Sequence, residues 1–200
     1  MTSTVDTTIG SRQKLVEATI ELMSSRGFEA MGINSILEAA DVSKSNFYYH
    51  FKSKEDLCLA ALDAMQEYFF SQCLEPFLSD KSWSPRQRLE RFLQSARERM
   101  ESECCQKGCP FVNLATETSD FLPAFRERIS AFFERYQQRL ADCIREGIAR
   151  GEFRSDISPG VAAQVLLASM SGTLVLAKVH KEPQVMRDSI GAVLTMLAPP

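Results

Sequence analysis

The stretch "INSILEAADVSKSNFYYHF", Ile33 to Phe51, decides the fold. Its first eight residues put Ile33, Ile36, Leu37 and Ala40 on one face of a short helix. Asp41 and Val42 interrupt that pattern, and Ser43 is placed to cap a second short helix with its hydroxyl. Two short helices at this spacing form a helix-turn-helix, which lays its second helix in a DNA major groove. The plainer reading is two helices of an ordinary three-helix core.

Local charge separates the two readings. Residues 1–60 carry six Lys and Arg against eight Asp and Glu, a net charge of −2, so the region has no general affinity for nucleic acid. Residues 43–54, however, hold Lys44, His50, Lys52 and Lys54 with no acid among them. Ser43, Ser45, Asn46, Tyr48, Tyr49 and Ser53 add uncharged hydrogen-bonding groups. Lys, Tyr and Ser suit phosphate oxygens, while Asn46 and Lys44 suit base edges.

Outward from this stretch the helical period continues in both directions. Before it, Leu15, Ala18, Thr19, Leu22 and Met23 form a stripe that Gly27 ends. After it, "SKED" places Asp56 opposite Ser53 in a near capping box, opening a helix that runs to about Leu78 and bends or stops near Pro76. Residues 79–84 read as a polar loop, and Pro85 starts a helix over 85–105 with Leu89, Phe92, Leu93, Ala96 and Met100 facing inward. A long helix carries Phe125, Ile129, Phe132, Tyr136, Leu140, Cys143 and Gly147. Helices over 160–180 and about 183–197 close the chain. The expected fold is all-α: a helix-turn-helix DNA-binding domain over 8–55 and a larger helical bundle over 56–200.

Composition excludes little else. Apolar residues are 44% and charged residues 24%, with a net charge of −3, ordinary for a soluble domain. "MTSTVDTTIG" has neither a basic start nor an apolar run, so the chain reads as cytoplasmic. "VAAQVLLASMSGTLVLAKV" is apolar, but Gln164, Ser169, Ser171 and Thr173 favour a helix buried on all sides over a membrane span. Catalysis lacks a foundation: only His50 and His180 are present, with no GxSxG, HExxH, phosphate loop or paired carboxylates. No cofactor is expected.

"GFEAMGINSILEAADVSKSNFYYHFKSKEDL" resembles the N-terminal signature of the TetR family of repressors, over residues 11–59. The resemblance implies a recognition helix with Lys44, Ser45, Asn46, Tyr48, Tyr49 and His50, a phosphate-contacting Lys54, and inward-packing Phe47 and Phe51. Asp41 and Ser45 stand where the family commonly has Gly. It also implies a homodimer on a palindromic double-stranded operator. Ala162, Ala163, Ala168, Ser169 and Gly172 then suit the seam, with the last helix completing a four-helix arrangement.

"ESECCQKGCPF", Glu101 to Phe111, holds three of the six cysteines. Metal ligation would need a fourth group and lacks CxxC spacing. Adjacent Cys104 and Cys105 bridge poorly, whereas either could pair with Cys109. Helix ends divide the three. Cys104 and Cys105 close one helix, where the dipole disfavours a thiolate. Cys109 caps the next, with Pro110 at its first position, a setting that lowers a thiol pKa. The alternative is a small buried hydrophobe.

"GCPFVNLATE" is similar to the "GC…NLA.E" segment of one TetR branch that includes NemR-like, electrophile-responsive repressors, and "LVLAKV" resembles that branch's "LxAK". This resemblance implies Cys109 as the sensing thiol and Lys178 as its buried basic neighbour. Relatives with the same segment bind flavonoids or other organic ligands reversibly. The inducer is thus an electrophile or oxidant acting at Cys109, or a small molecule held beside it. Phe69, Trp83, Phe92, Phe111, Met170 and Thr173 are candidate pocket residues, Phe111 and Thr173 foremost.

Overall fold

The computed structural model describes residues 10–199. The first residues of the expected 8–55 domain therefore lie outside the described residues. Those described are helical and contain no strand. The chain separates into two compact units, dividing after Met65.

The first unit holds α1 (Ser11–Arg26), α2 (Ile33–Ala40), α3 (Lys44–His50) and most of α4 (Lys54–Tyr68). Gly27, at φ 83°, ends α1, and its N–H bonds to Met23 O. Ser43 Oγ accepts from Asn46 N at 3.3 Å and so caps α3. At the start of α4, Ser53 Oγ accepts from Asp56 N while Asp56 Oδ2 accepts from Lys52 N. Asp41 closes α2 in the left-handed region, at φ 51° and ψ 52°. Glycine suits that conformation best, and Asp tolerates it better than most residues. The family's Gly is thus replaced without loss of the turn. Leu15, Ile36, Phe47, Phe51 and Leu57 are almost wholly buried.

The second unit begins inside the same helix. α4 runs into a π-helix, Phe69–Leu74, and a short α5, Glu75–Leu78. The long helix expected to Leu78 is therefore continuous but changes register before Pro76. Next come α6 (Pro85–Ser102), α7 (Pro110–Thr118), α8 (Pro123–Ala149), α9 (Pro159–His180) and α10 (Gln184–Leu197). Ser84 and Gln87 form a full capping box at α6. α6 stops at Ser102 rather than 105, because Cys104 and Cys105 both turn left-handed, at φ 50° and 54°. Cys105 N–H then reaches back to Met100 O at 2.9 Å.

Helix α9 departs from expectation. Among the described residues it alone is long and apolar enough to cross a membrane. It packs on α8 and α10, burying Ala162, Ala163, Leu166, Met170, Thr173 and Ala177. It is not buried on all sides. Val161, Val165, Ala168, Gly172, Leu176 and Val179 form an exposed stripe along its length.

One ionic group ties three elements of this unit. Arg88 on α6 is only 1% exposed. Its Nη1 donates to Leu78 O at 2.8 Å, and its Nη2 lies 2.6 Å from Glu146 Oε2 on α8. Hydrogen bonds from Lys81 and Arg88 hold the Glu146 carboxyl down at about 2. A lowered carboxylate pKa stabilises the fold above the ordinary value near 4.5, and that contribution disappears as pH falls toward about 2. Glu146→Gln should therefore differ most from the parent near neutrality and converge with it in acid, read by urea unfolding at stepped pH. Arg88→Ala, which leaves the Leu78 carbonyl without its donor while Lys81 and Arg150 still pair with Glu146, should cost about 1–3 kcal/mol in the same assay.

Candidate functional site

On α3, Lys44, Ser45, Tyr48 and Tyr49 are exposed, Tyr49 at 82%. Phe47 and Phe51 are buried, as the resemblance implied. His50 is half-buried, its ring edge-on to Tyr49 at 4.8 Å. Two expected contact residues are otherwise engaged. Asn46 is half-buried and its Nδ2 donates to Ser11 Oγ on α1 at 2.8 Å. Lys54 Nζ donates to Phe28 O at 2.7 Å and sits 4.1 Å from the Phe28 ring centroid. In this structure each gives one N–H to the rest of its unit, which fixes where the remaining polar atoms of Asn46 and Lys54 stand.

The second constellation lies wholly within the second unit. Cys109 caps α7, and Pro110 occupies its first position. Gly108, at φ 69°, makes the turn, and a β-carbon there would stand 3.0 Å from Lys178 Cδ. The Lys178 stem thus lies against the residue preceding the cysteine. Lys178 is half-buried, not buried as expected, because it falls between buried Ala177 and exposed Val179 on α9. Asn113 Nδ2 donates to Lys107 O at 3.0 Å and braces the same turn.

Phe111 stacks on Phe132 of α8, with ring centroids 3.8 Å apart and planes 22° apart. Phe69 of the π-helix meets both Phe132 and Tyr136, and Phe92 meets Tyr136 at 5.9 Å. Tyr136 is 8% exposed, and its hydroxyl makes no hydrogen bond to any described residue. Trp83 is not part of this group; it lies in the 79–84 loop under the Arg91 guanidinium, 3.6 Å away. Met170 and Thr173 are buried on the inner face of α9.

The thiol chemistry reverses the expectation from helix position. Burial pushes the Cys109 thiol above its ordinary pKa, outweighing the Val112 and Phe111 N–H groups that favour the thiolate. Burial also raises the Cys73 thiol, against a lowering pull from Arg99. Tyr136 is raised as well, chiefly by burial and next by charge at Cys109, while Arg99 draws it down. Cys105 is buried and raised, and Cys104 is exposed. Among the described residues no three His, Cys, Asp or Glu side chains gather as metal ligands.

Residues 15–61 match the family described as "Bacterial regulatory proteins, tetR family". Residues 85–193 match "Tetracyclin repressor-like, C-terminal domain". The chain belongs to the TetR family. It is 32% identical to the transcriptional regulator AcuR of Cereibacter sphaeroides, over 86% of this chain and 78% of that one. It is 28% identical to the transcriptional repressor DhaR of a Mycobacterium species, over 94% of this chain and 92% of that one. The crystal structure of Escherichia coli NemR in its reduced form superposes with a TM-score of 0.85 at 25% identity, covering 96% of this chain and 99% of that one.

This TetR-family protein is accordingly a transcriptional repressor and not an enzyme. Members of the family bind DNA operators, typically as dimers, and respond to small molecules. Sequence reading missed Arg99 and Asn113 as functional candidates and took Tyr136 for plain core. Gly108→Ala should destabilise the protein by about 1–2 kcal/mol, since it forces a side chain into the left-handed region. Part of that cost should vanish in the Lys178→Ala background, where the crowding atoms are gone. A double-mutant cycle by urea unfolding measures the coupling, and strict additivity would refute the contact.

Proposed function

We propose that this repressor leaves its operator when an electrophile bonds to Cys109. The convergence of Cys109, the Phe111–Phe132 stack and the Lys178 stem in one place carries the reading. With an unsaturated carbonyl compound, Sγ bonds to the β-carbon, the π electrons move to the α-carbon, and that carbon takes up the proton the thiol gave away. The adduct adds bulk two residues from Phe111 and disturbs its stack. The similarity to NemR, solved in a reduced form, supports thiol chemistry at this site.

The raised Cys109 pKa favours a second reading, a reversible organic ligand held by the same aromatic group. A gel shift on the protein's own upstream DNA separates the two. N-ethylmaleimide and a quinone should release the parent protein and leave Cys109→Ser bound. Equal release of both proteins would retire the covalent reading. Because the thiolate is the nucleophile, the rate of Cys109 modification should keep rising as pH passes the ordinary thiol value near 9.

On the DNA side, exposed Lys44, Ser45, Tyr48 and Tyr49 are the proposed contacts of the recognition helix, with Ser43 and His50 at its two ends. The repressor acts as a homodimer in the bacterial cytoplasm. The exposed α9 stripe supports this, with Gly172 at its middle open to close approach and Val179 at 70% exposure. Leu176→Asp should shift the protein from dimer to monomer in sedimentation velocity and weaken binding to the palindrome by at least about a hundredfold. A dimer unaffected by this change would move the seam elsewhere.

A further inference from the structure

The α6 face that carries Phe92 continues through Ser95 to Arg99, at the three- and four-residue spacing that keeps side chains on one side of a helix. Phe92 meets Tyr136, so Arg99 follows it two turns further along the same face. Other arginines of α6 have partners: Arg86 pairs with Glu90, Arg88 with Glu146, Arg97 with Glu101, and Arg91 covers Trp83. Arg99 is half-buried and has no carboxylate among the described residues; its Nη1 donates only to Ser95 Oγ, at 3.2 Å. Beside it stands Tyr136, more than nine-tenths buried, with an unused hydroxyl. Arg99 acts on the Cys73 thiol, and Tyr136 feels Arg99, Cys73 and Cys109, so the four groups share one neighbourhood.

A half-buried guanidinium without a carboxylate partner, next to an unbonded phenol, offers an anion charge-assisted hydrogen bonds. We propose that Arg99 and Tyr136 form an anion subsite beside Cys109, so that the inducer is a small organic carboxylate with an apolar or unsaturated body. The carboxylate takes the Arg99 N–H groups and the Tyr136 hydroxyl, while its body lies among Phe69, Phe92 and Phe111. Phe69, Arg99 and Cys109 each keep partial exposure, which leaves the group reachable. This inference rests on the reading that the inducer acts at Cys109, and it adds the charge that the inducer must bear.

Iodoacetate and iodoacetamide test it, because they differ in charge and carry out the same step. In each, Sγ bonds to the methylene carbon, iodide leaves, and the thiol proton goes to buffer. The rate ratio of iodoacetate to iodoacetamide at Cys109, measured by peptide mass spectrometry, is compared with the ratio for free N-acetylcysteine. The subsite should raise the protein's ratio roughly tenfold or more, as one charge-assisted contact provides. Arg99→Gln should return it to the free-thiol value, Arg99→Lys should restore part of it, and Tyr136→Phe should lower it less than Arg99→Gln does. A ratio equal to that of N-acetylcysteine, unchanged by Arg99→Gln, would overturn the subsite while leaving the thiol reading intact.

If neither reagent modifies Cys109, the thiol reading fails and calorimetry on Cys109→Ser decides the subsite by itself. Acrylate, benzoate and cinnamate are then compared with their amides. At least one acid binding tighter than its amide, with the difference lost in Arg99→Gln, supports the subsite. Equal behaviour of every acid and its amide overturns it.

Discussion

The face-to-face contact of Phe111 on Phe132 holds the turn that carries Cys109 against α8. Phe111 is the second residue of α7, and Phe132 lies midway along the 27-residue α8. Such a pair contributes about 0.5–1.5 kcal/mol beyond the area it buries, and its larger effect is geometric. Pro110 restricts the backbone at the start of α7, and Gly108 turns left-handed just ahead of it. Cys109 lies between these two constraints and so has almost no freedom of its own. Asn113 closes the arrangement from the other side by holding Lys107 O. The sulfur is positioned by its neighbours, and a disturbance of the sulfur returns to them.

Burial and the helix N-terminus compete at that sulfur, and burial wins. A helix terminus favours an anion by about 0.3–1 kcal/mol, up to about 2 in partly buried settings. Desolvation opposes it by disfavouring the charged form. The larger effect prevails, so the thiol stays protonated at neutral pH. A protonated thiol among aromatic rings is slow toward passing reagents and selective for compounds that bind before they react.

The helices and the helix-turn-helix were legible because their signals are local. Ser43 capping α3, Gly27 ending α1 and Pro85 opening α6 each act within a few residues of themselves. Interactions that join distant residues were not legible. Asn46 looks like an outward amide, yet Ser11, 35 positions away, accepts one of its N–H groups. Lys54 looks like a purely outward lysine, yet Phe28 O, 26 positions away, accepts one of its N–H groups. Arg99 was passed over because a charged residue beside an apolar stripe usually faces solvent, and only the position of α8 puts Tyr136 opposite. Cys109 was placed correctly at its helix cap and misjudged in its acidity, since burial cannot be read from a cap.

Helix α9 explains why a segment apolar on nearly every side is not buried within its own chain. Its inner stripe, from Ala162 to Ala177, serves the unit's own core, and its outer stripe, from Val161 to Val179, is exposed among the described residues. Lys178 sits at the boundary between these stripes, with its stem on Gly108. Displacement of the Gly108 turn therefore acts on the last turn of α9, where Val179 belongs to the outer face. A repressor of this family has to couple a small chemical event to the spacing of two DNA-reading helices. Here the residue that touches the Cys109 turn is the immediate chain neighbour of a residue on the exposed face of α9, so that turn and that face meet at one helical turn.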